Sequence, residues 1–339
     1  MRRGGFFVKR SFAAMLAISI GIGLAQPALG NGSLFLRQDF EDGRLADGAL
    51  AACHRRENVI VNQKDVVRDG AWAARLELHP KGQAPERPAP EPGDRPSPSC
   101  MDSKDTAASY EEGNSERAEL WEPSKHRLPF GTEVWYGFSM RVDGTVPTDD
   151  NRRLVIGQWK QSGGKSPFLA QRFGNRNFHI TFQQDAANGN ECRVLLAYQR
   201  EPAPQADSID LTTGEPCQSD VVVQRFAPLP SPFEAWTDLV YHVKGSAGPD
   251  GPGADGSGTD GIVEVWANGV MIARAIGRIG YASAGKQYFK FGPYRDEAPY
   301  SIAATIDSFS RGTTFTEVAS GLNRGVQGEY AMRDTWEWR

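Results

Sequence analysis

The chain has 339 residues and carries 38 Lys and Arg against 42 Asp and Glu, a net charge of −4 at pH 7. This slightly acidic balance excludes a general nucleic-acid binder and leaves room only for a local basic groove. Beyond the first thirty residues no stretch is apolar enough to span a bilayer as a helix, and the mature chain is expected to be soluble and exported.

The chain opens on a leader. Arg2, Arg3, Lys9 and Arg10 form a basic head, Phe12 to Ala25 is apolar, and Ala28-Leu29-Gly30 offers small residues for cleavage. Residues 1–30 therefore read as a secretory signal peptide, and the protein is expected to be secreted or periplasmic, with no membrane contact after cleavage. The fold is read from 31 to 339 as a single domain, a monomer. Four cysteines, Cys53, Cys100, Cys192 and Cys217, follow the leader without CxxC spacing, so disulfides suit them better than zinc. Of three possible pairings the nearest-neighbour one is Cys53–Cys100 with Cys192–Cys217.

Strand signals then recur along the chain. Leu34 to Phe40, Asn58 to Val61 and Ala73 to Leu78 come first, followed by a Pro-rich surface loop over 80–100. Ser115 to Trp121 resumes the pattern, and Val134 to Val142 alternates most cleanly, with Val134, Tyr136, Phe138, Met140 and Val142 on one face. Arg153 to Lys160, Phe178 to Phe182, Arg193 to Tyr198 and Val221 to Phe226 follow. Trp236 to Lys244 and Ile262 to Ala267 flank a Gly/Asp-rich loop over 245–261. Asn268-Gly269, before Val270-Met271-Ile272, is a type I′ hairpin signal. Tyr288 to Arg295 and Ile302 to Phe309 complete the set; the tail to Arg339 carries no readable pattern. Many short strands between Gly, Pro and Asn turns, with hardly any helical periodicity, predict an all-β sandwich of two sheets.

Chemistry concentrates on a few strands. Tyr288 to Arg295 sends Phe289 and Phe291 to one face and Tyr288, Lys290, Gly292 and Tyr294 to the other. The bare Gly292 permits a close approach to the backbone. Arg117 with Glu119, and Gln158 with Lys160, likewise share faces, and His179, Thr181 and Gln183 line one side of a fourth strand. A solvated sheet face is the bland account of such pairs. Repeated long cationic and amide donors beside tyrosine instead suit an anionic, hydroxyl-rich polymer. Glu116, Glu119 and Glu122 alternate between faces, so a two-carboxylate hydrolase fits poorly. Gly163-Gly164-Lys165-Ser166 lacks the first glycine of a P-loop, since Trp159 stands there. Ser162 to Lys165 is a chance match to S-x-x-K. His242 reads as structural, and His54, His79 and His126 join no constellation.

Arg117-Ala118-Glu119-Leu120, Gln158-Trp159-Lys160 and Tyr288-Phe289-Lys290-Phe291-Gly292-Pro293-Tyr294 resemble the three motif strands of the jelly-roll polysaccharide lyases. The alginate lyases of that type carry R-[ST]-E-L, Q-[IV]-H and Y-F-K-A-G-x-Y. Val134 to Ser139, Trp236 to Val240 and Val263 to Gly269 extend the likeness toward the heparin lyase I-like and glucuronan lyase-like families, over roughly 115–309. The resemblance implies a concanavalin A-like β-jelly roll of two antiparallel sheets. It also implies β-elimination on a uronate-containing polysaccharide, leaving a 4,5-unsaturated end. Arg117 and Gln158 would neutralise the substrate carboxylate and Tyr294 would move protons, a base role that requires nearby cations; Lys290, Lys160 and Arg295 are the candidates. Lys160, Lys290, Glu119, His179, Tyr288 and Arg295 would bind substrate. The family's Q-x-H histidine is Lys160 here, a carboxylate clamp before a base, and His179 replaces the imidazole only if its strand lies beside that of Gln158. The related lyases often hold calcium; no other cofactor is implied, and Asp250, Asp255 and Asp260 could supply oxygen ligands. Arg152, Arg153, Arg172 and Arg176 could serve a sulfated polymer, which does not choose between heparin and an unsulfated polyuronide. A non-catalytic carbohydrate-binding sandwich and a glycoside hydrolase on the same fold stay open as alternatives.

Overall fold

The computed structural model describes residues 34–43, 45, 50–54 (backbone alone at 51–54), 58–80, 82–83, 115–144, 146, 152–162, 165–174, 177–185, 191–200, 210, 213–217, 221–246, 261–281, 285–320 and 322. The expected signal peptide, most of the Pro-rich loop, Cys100, Arg176 and Asp250, Asp255 and Asp260 lie outside the described residues. Among the described residues no helix is long and apolar enough to cross a membrane.

The strands, numbered in chain order, form two antiparallel sheets. The nine-stranded sheet runs β12 (Val221–Arg225), β15 (Val270–Gly277), β14 (Gly261–Ala267), β13 (Thr237–Lys244), β7 (Val134–Gly144), β17 (Ile302–Gly312), β4 (Ala73–Leu78) and β3 (Val59–Gln63), with β1 (Leu36–Gln38) also on β17. The eight-stranded sheet runs β11 (Glu191–Tyr198), β10 (Asn177–Asp185), β9 (Leu169–Gly174), β8 (Leu154–Gln161), β16 (Lys286–Asp296), β5 (Ser115–Trp121) and β2 (Ala51–His54), with β6 (Leu128–Pro129) on β16. The chain crosses between sheets repeatedly, for instance from β16 to β17, which gives the jelly-roll architecture. The predicted sandwich is the fold observed.

The alternation read in the sequence is the alternation of burial. Val134, Tyr136, Phe138, Met140 and Val142 are all at most 1% exposed. They meet the inward face of β16, where Phe289 lies 5.3 Å from Phe138 and stacks on Phe309 at 5.7 Å. Trp159 of β8 joins them, 4.7 Å from Phe289 and 4.4 Å from Tyr241. Each such ring contributes roughly 1.5–3 kcal/mol by leaving water, so the faces of β16 and β8 opposite to this core are held rigidly in place. Asn268 (φ 49°) and Gly269 (φ 80°) make the tight β14–β15 turn with the left-handed pair that a type I′ turn needs. Cys192 and Cys217 are bridged, with Cα atoms 5.6 Å apart. The other expected disulfide involves Cys100 and is outside the described residues.

Candidate active site

The three motif strands are neighbours, in the order β8-β16-β5. Tyr294 faces Arg117 and Lys290 faces Trp121 across β16–β5; on the other side Lys290 faces Gln158 and Tyr288 faces Lys160. Residues opposite one another share a sheet face. All of these side chains therefore project to the side away from the Phe289–Phe291 core.

Between Phe291 and Tyr294 the strand carries one residue more than β8 does, whereas against β5 its count is unbroken. The bulge centres on Gly292 at φ 127°. A Cβ there would lie 2.1 Å from the Ala118 carbonyl oxygen and 2.7 Å from Leu76 Cδ2. The close approach that a bare glycine permits is thus taken up by the neighbouring backbone, not by a ligand. Lys290 and Tyr294 stay on one face despite the bulge, because β5 holds them opposite Trp121 and Arg117.

Glu119 is the hub of the polar side chains. It is 1% exposed and accepts from Gln158 Nε2 at 2.5 Å and from Trp121 Nε1 at 3.2 Å, with Arg117 Nη1 3.8 Å away. The Tyr294 ring, half-buried, has the Arg117 guanidinium 4.7 Å and the Arg153 guanidinium 4.4 Å from its centre. Arg153 is held from behind by Asp296, whose carboxylate accepts from its Nη2 at 2.6 Å and its backbone N–H at 3.1 Å. Lys290 Nζ sits 3.3 Å from the centre of the Trp121 ring, and Lys160 Nζ donates to the Lys165 carbonyl. Two guanidiniums thus flank the Tyr294 phenol, while Lys290, Lys160 and the buried Glu119 stand further along the same face, Lys290 over Trp121 and Lys160 opposite Tyr288. Such a place can hold an anion and stabilise negative charge that develops beside it.

Four of the expected residues are placed or engaged otherwise than their spacing suggested. Arg295 is fully buried on the opposite side of β16, in register with Leu154, and its Nε donates to Glu116 at 2.6 Å; it does not reach the Tyr294 face. Tyr288 is on the right face but 1% exposed, because the Arg127 guanidinium lies over its ring at 3.9 Å. Glu119 also stands on that face, yet both of its oxygens are occupied by protein donors. The condition set for His179 fails too: β9 separates its strand from that of Gln158, and His179 is in register with Arg172. Its ring is held down to about 4, first by burial, then by Arg172 and Arg193 and against the Asn177 carbonyl that accepts from Nδ1 at 3.1 Å. The imidazole is neutral at pH 7. Glu122 is fully buried against Arg311 at 2.7 Å and Glu116 is paired with Arg295, so the three glutamates split as their spacing requires. His242 belongs to the other sheet, between Glu133 and Glu264 at 2.8 and 2.7 Å.

Two participants escaped the sequence reading. Trp121 continues the parity of Arg117 and Glu119 and could have been found by extending that count. Arg127 follows a 3₁₀ turn at Ser124–His126 and carries no periodic signal. Among the described residues no group of three or more His, Cys, Asp or Glu is placed to hold a metal ion.

Comparison with known proteins agrees with this architecture. The endo-β-1,4-glucuronan lyase of the fungus Trichoderma reesei superposes with a TM-score of 0.51 at 14% identity, over 84% of this chain and 97% of that one. The cellulose-induced protein Cip1 (TM-score 0.42, 14% identity, 82% and 97% covered) and a family 7 alginate lyase (0.38, 14%, 72% and 79%) overlap less well. No curated protein sequence matches. The sequence model of the polysaccharide lyases matches residues 40–317, most of the chain and both sheets; the chain belongs to the polysaccharide lyase family.

Proposed function

We propose that the protein cleaves a uronate-containing polysaccharide by β-elimination, leaving a 4,5-unsaturated uronate on the new non-reducing end. The C5 proton of a uronate is a poor acid while the neighbouring carboxylate bears its full charge. Arg117 takes that carboxylate, helped by the second N–H of Gln158, whose first is committed to Glu119. Charge that develops as C5 loses its proton then meets a fixed guanidinium and amide. Tyr294, acting as the phenolate, accepts the C5 proton and then, as the neutral phenol, gives it to O4 as the C4–O4 bond breaks and the C4–C5 double bond forms. Arg117 and Arg153 flank the ring where negative charge appears during the transfer. Lys160 and Lys290 hold neighbouring parts of the chain. No step requires a metal.

One observation carries this reading: the register that sets Tyr294 opposite Arg117, one strand from Gln158, on the face away from the core. The basic head and apolar run of residues 1–30, read as a secretory signal, and the Cys192–Cys217 bridge support export. Purified protein incubated with glucuronan, alginate and heparin tests the reading. Elimination yields ultraviolet-absorbing ends in step with new reducing ends. Reducing ends without absorbance would make the protein a hydrolase and overturn the proposal.

A further inference from the structure

The same sheet face carries a further cation two strands from Tyr294. Arg172 of β9 is in register with Val155 of β8, itself in register with Tyr294. Two strand spacings of ~4.8 Å set the backbones of Arg172 and Tyr294 about 10 Å apart, and the distance to Arg117 is one strand greater. Arg172 is 8% exposed, and its Nε donates to Thr181 Oγ1 at 3.0 Å. No carboxylate of the described residues lies within ion-pair distance. The facing groups are Val155 on β8, His179 and Thr181 on β10, Arg193 and Glu191 on β11, Tyr281, and Arg153 before β8. Burial, then Arg193, holds the guanidinium down to about 9, with Tyr281 and Glu191 opposing. A buried guanidinium without a counter-charge is costly unless something completes it.

We infer that Arg172 is a second carboxylate-binding position, which takes a uronate further along the polymer than the one undergoing cleavage. This rests on the proposed elimination and narrows the substrate class to chains whose uronates recur, rather than neutral polymers with isolated uronates. The neutral His179 beside it supports the assignment. With Nδ1 donating to the Asn177 carbonyl, Nε2 is an acceptor suited to a sugar hydroxyl.

The test uses glucuronan oligomers and the same oligomers with a fraction of their carboxyl groups reduced to alcohols. Binding by calorimetry and turnover by absorbance are both measured. Wild-type protein should bind native oligomers roughly ten- to a hundredfold more tightly than thinned ones of equal length, the range of a charged hydrogen bond. Arg172→Met should lose most of this discrimination, and Arg172→Lys should keep part of it. Indifference of the wild type to thinning overturns the inference without any variant, which covers the case in which Arg172→Met does not fold. A folded Arg172→Met that discriminates as the wild type does overturns it as well. If no oligomer is cleaved, the elimination reading fails, and calorimetry still decides whether Arg172 selects for carboxylates.

Discussion

Glu119→Gln isolates what the buried carboxylate does. The carboxylate serves two N–H donors at once, Gln158 at 2.5 Å and Trp121 at 3.2 Å. An amide of the same size has one acceptor oxygen and a donor in place of the other. One of the two neighbours then faces a donor at a position that is 1% exposed and beyond the reach of bulk water. An unmade bond of this kind costs about 1–3 kcal/mol, and one to a charged acceptor about 1.5–3 kcal/mol. Stability should fall by roughly the first amount. If Gln158 swings away from its present position, the substrate loses one arm of its clamp, and kcat should fall roughly 10- to 100-fold. Arg117, 3.8 Å from Glu119, is at the same time relieved of a competing negative charge. Binding of the substrate carboxylate should hold or tighten, so KM should not rise. Initial rates of absorbance growth on glucuronan, with urea unfolding alongside, measure both parts. A variant with kcat within about twofold of wild type and an unchanged urea midpoint would refute the reasoning.

Other consequences follow from the same geometry. Gly292→Ala puts a methyl group against the Ala118 carbonyl at a φ of 127°; strain and overpacking together should destabilise the fold by about 3 kcal/mol or more in urea unfolding. His179 has its folded-state pKa depressed from 6.5 to about 4. The unfolded chain therefore binds a proton first as pH falls, and stability drains away between pH 6.5 and 4. At ~1.36 kcal/mol per pH unit this reaches about 3 kcal/mol, and His179→Asn should flatten the decline seen in denaturation at stepped pH. Breaking the Cys192–Cys217 bridge, which spans 25 residues, frees loop entropy in the unfolded chain. Cys192→Ala with Cys217→Ala should cost roughly 3 kcal/mol in thermal unfolding.

Much of this molecule can be read before folding, for a definite reason. Where one sheet face takes apolar side chains and the other mostly polar ones, side-chain parity records the fold, as in Val134 to Val142 and in Tyr288 to Phe291. Arg117, Gln158, Lys290 and Tyr294 came to one face because parity survives along each strand and neighbouring strands keep register. Legibility fails where a polar side chain turns toward the core. β9 was missed because Gln171 turns inward to donate to the Tyr241 hydroxyl at 2.7 Å while Arg172 is covered on the other side. It fails also where a contact arises only in three dimensions. Arg295, beside Tyr294 in sequence, pairs with Glu116 behind the strand, and Arg127 covers Tyr288 from a turn. Thr314 and Glu317 form a capping box at the start of α1 (Phe315–Ala319), a local signal present in the sequence but too short to stand out as helical periodicity.

Elimination at this site depends on one phenol at the centre of the motif strands. Tyr294→Phe keeps the ring between the Arg117 and Arg153 guanidiniums and removes only the hydroxyl, so turnover and binding can be measured on one folded protein. The expected result is loss of unsaturated ends to background, with oligouronide affinity within a few-fold of wild type. A Tyr294→Phe protein that still generates unsaturated ends at a rate comparable to wild type would contradict the account.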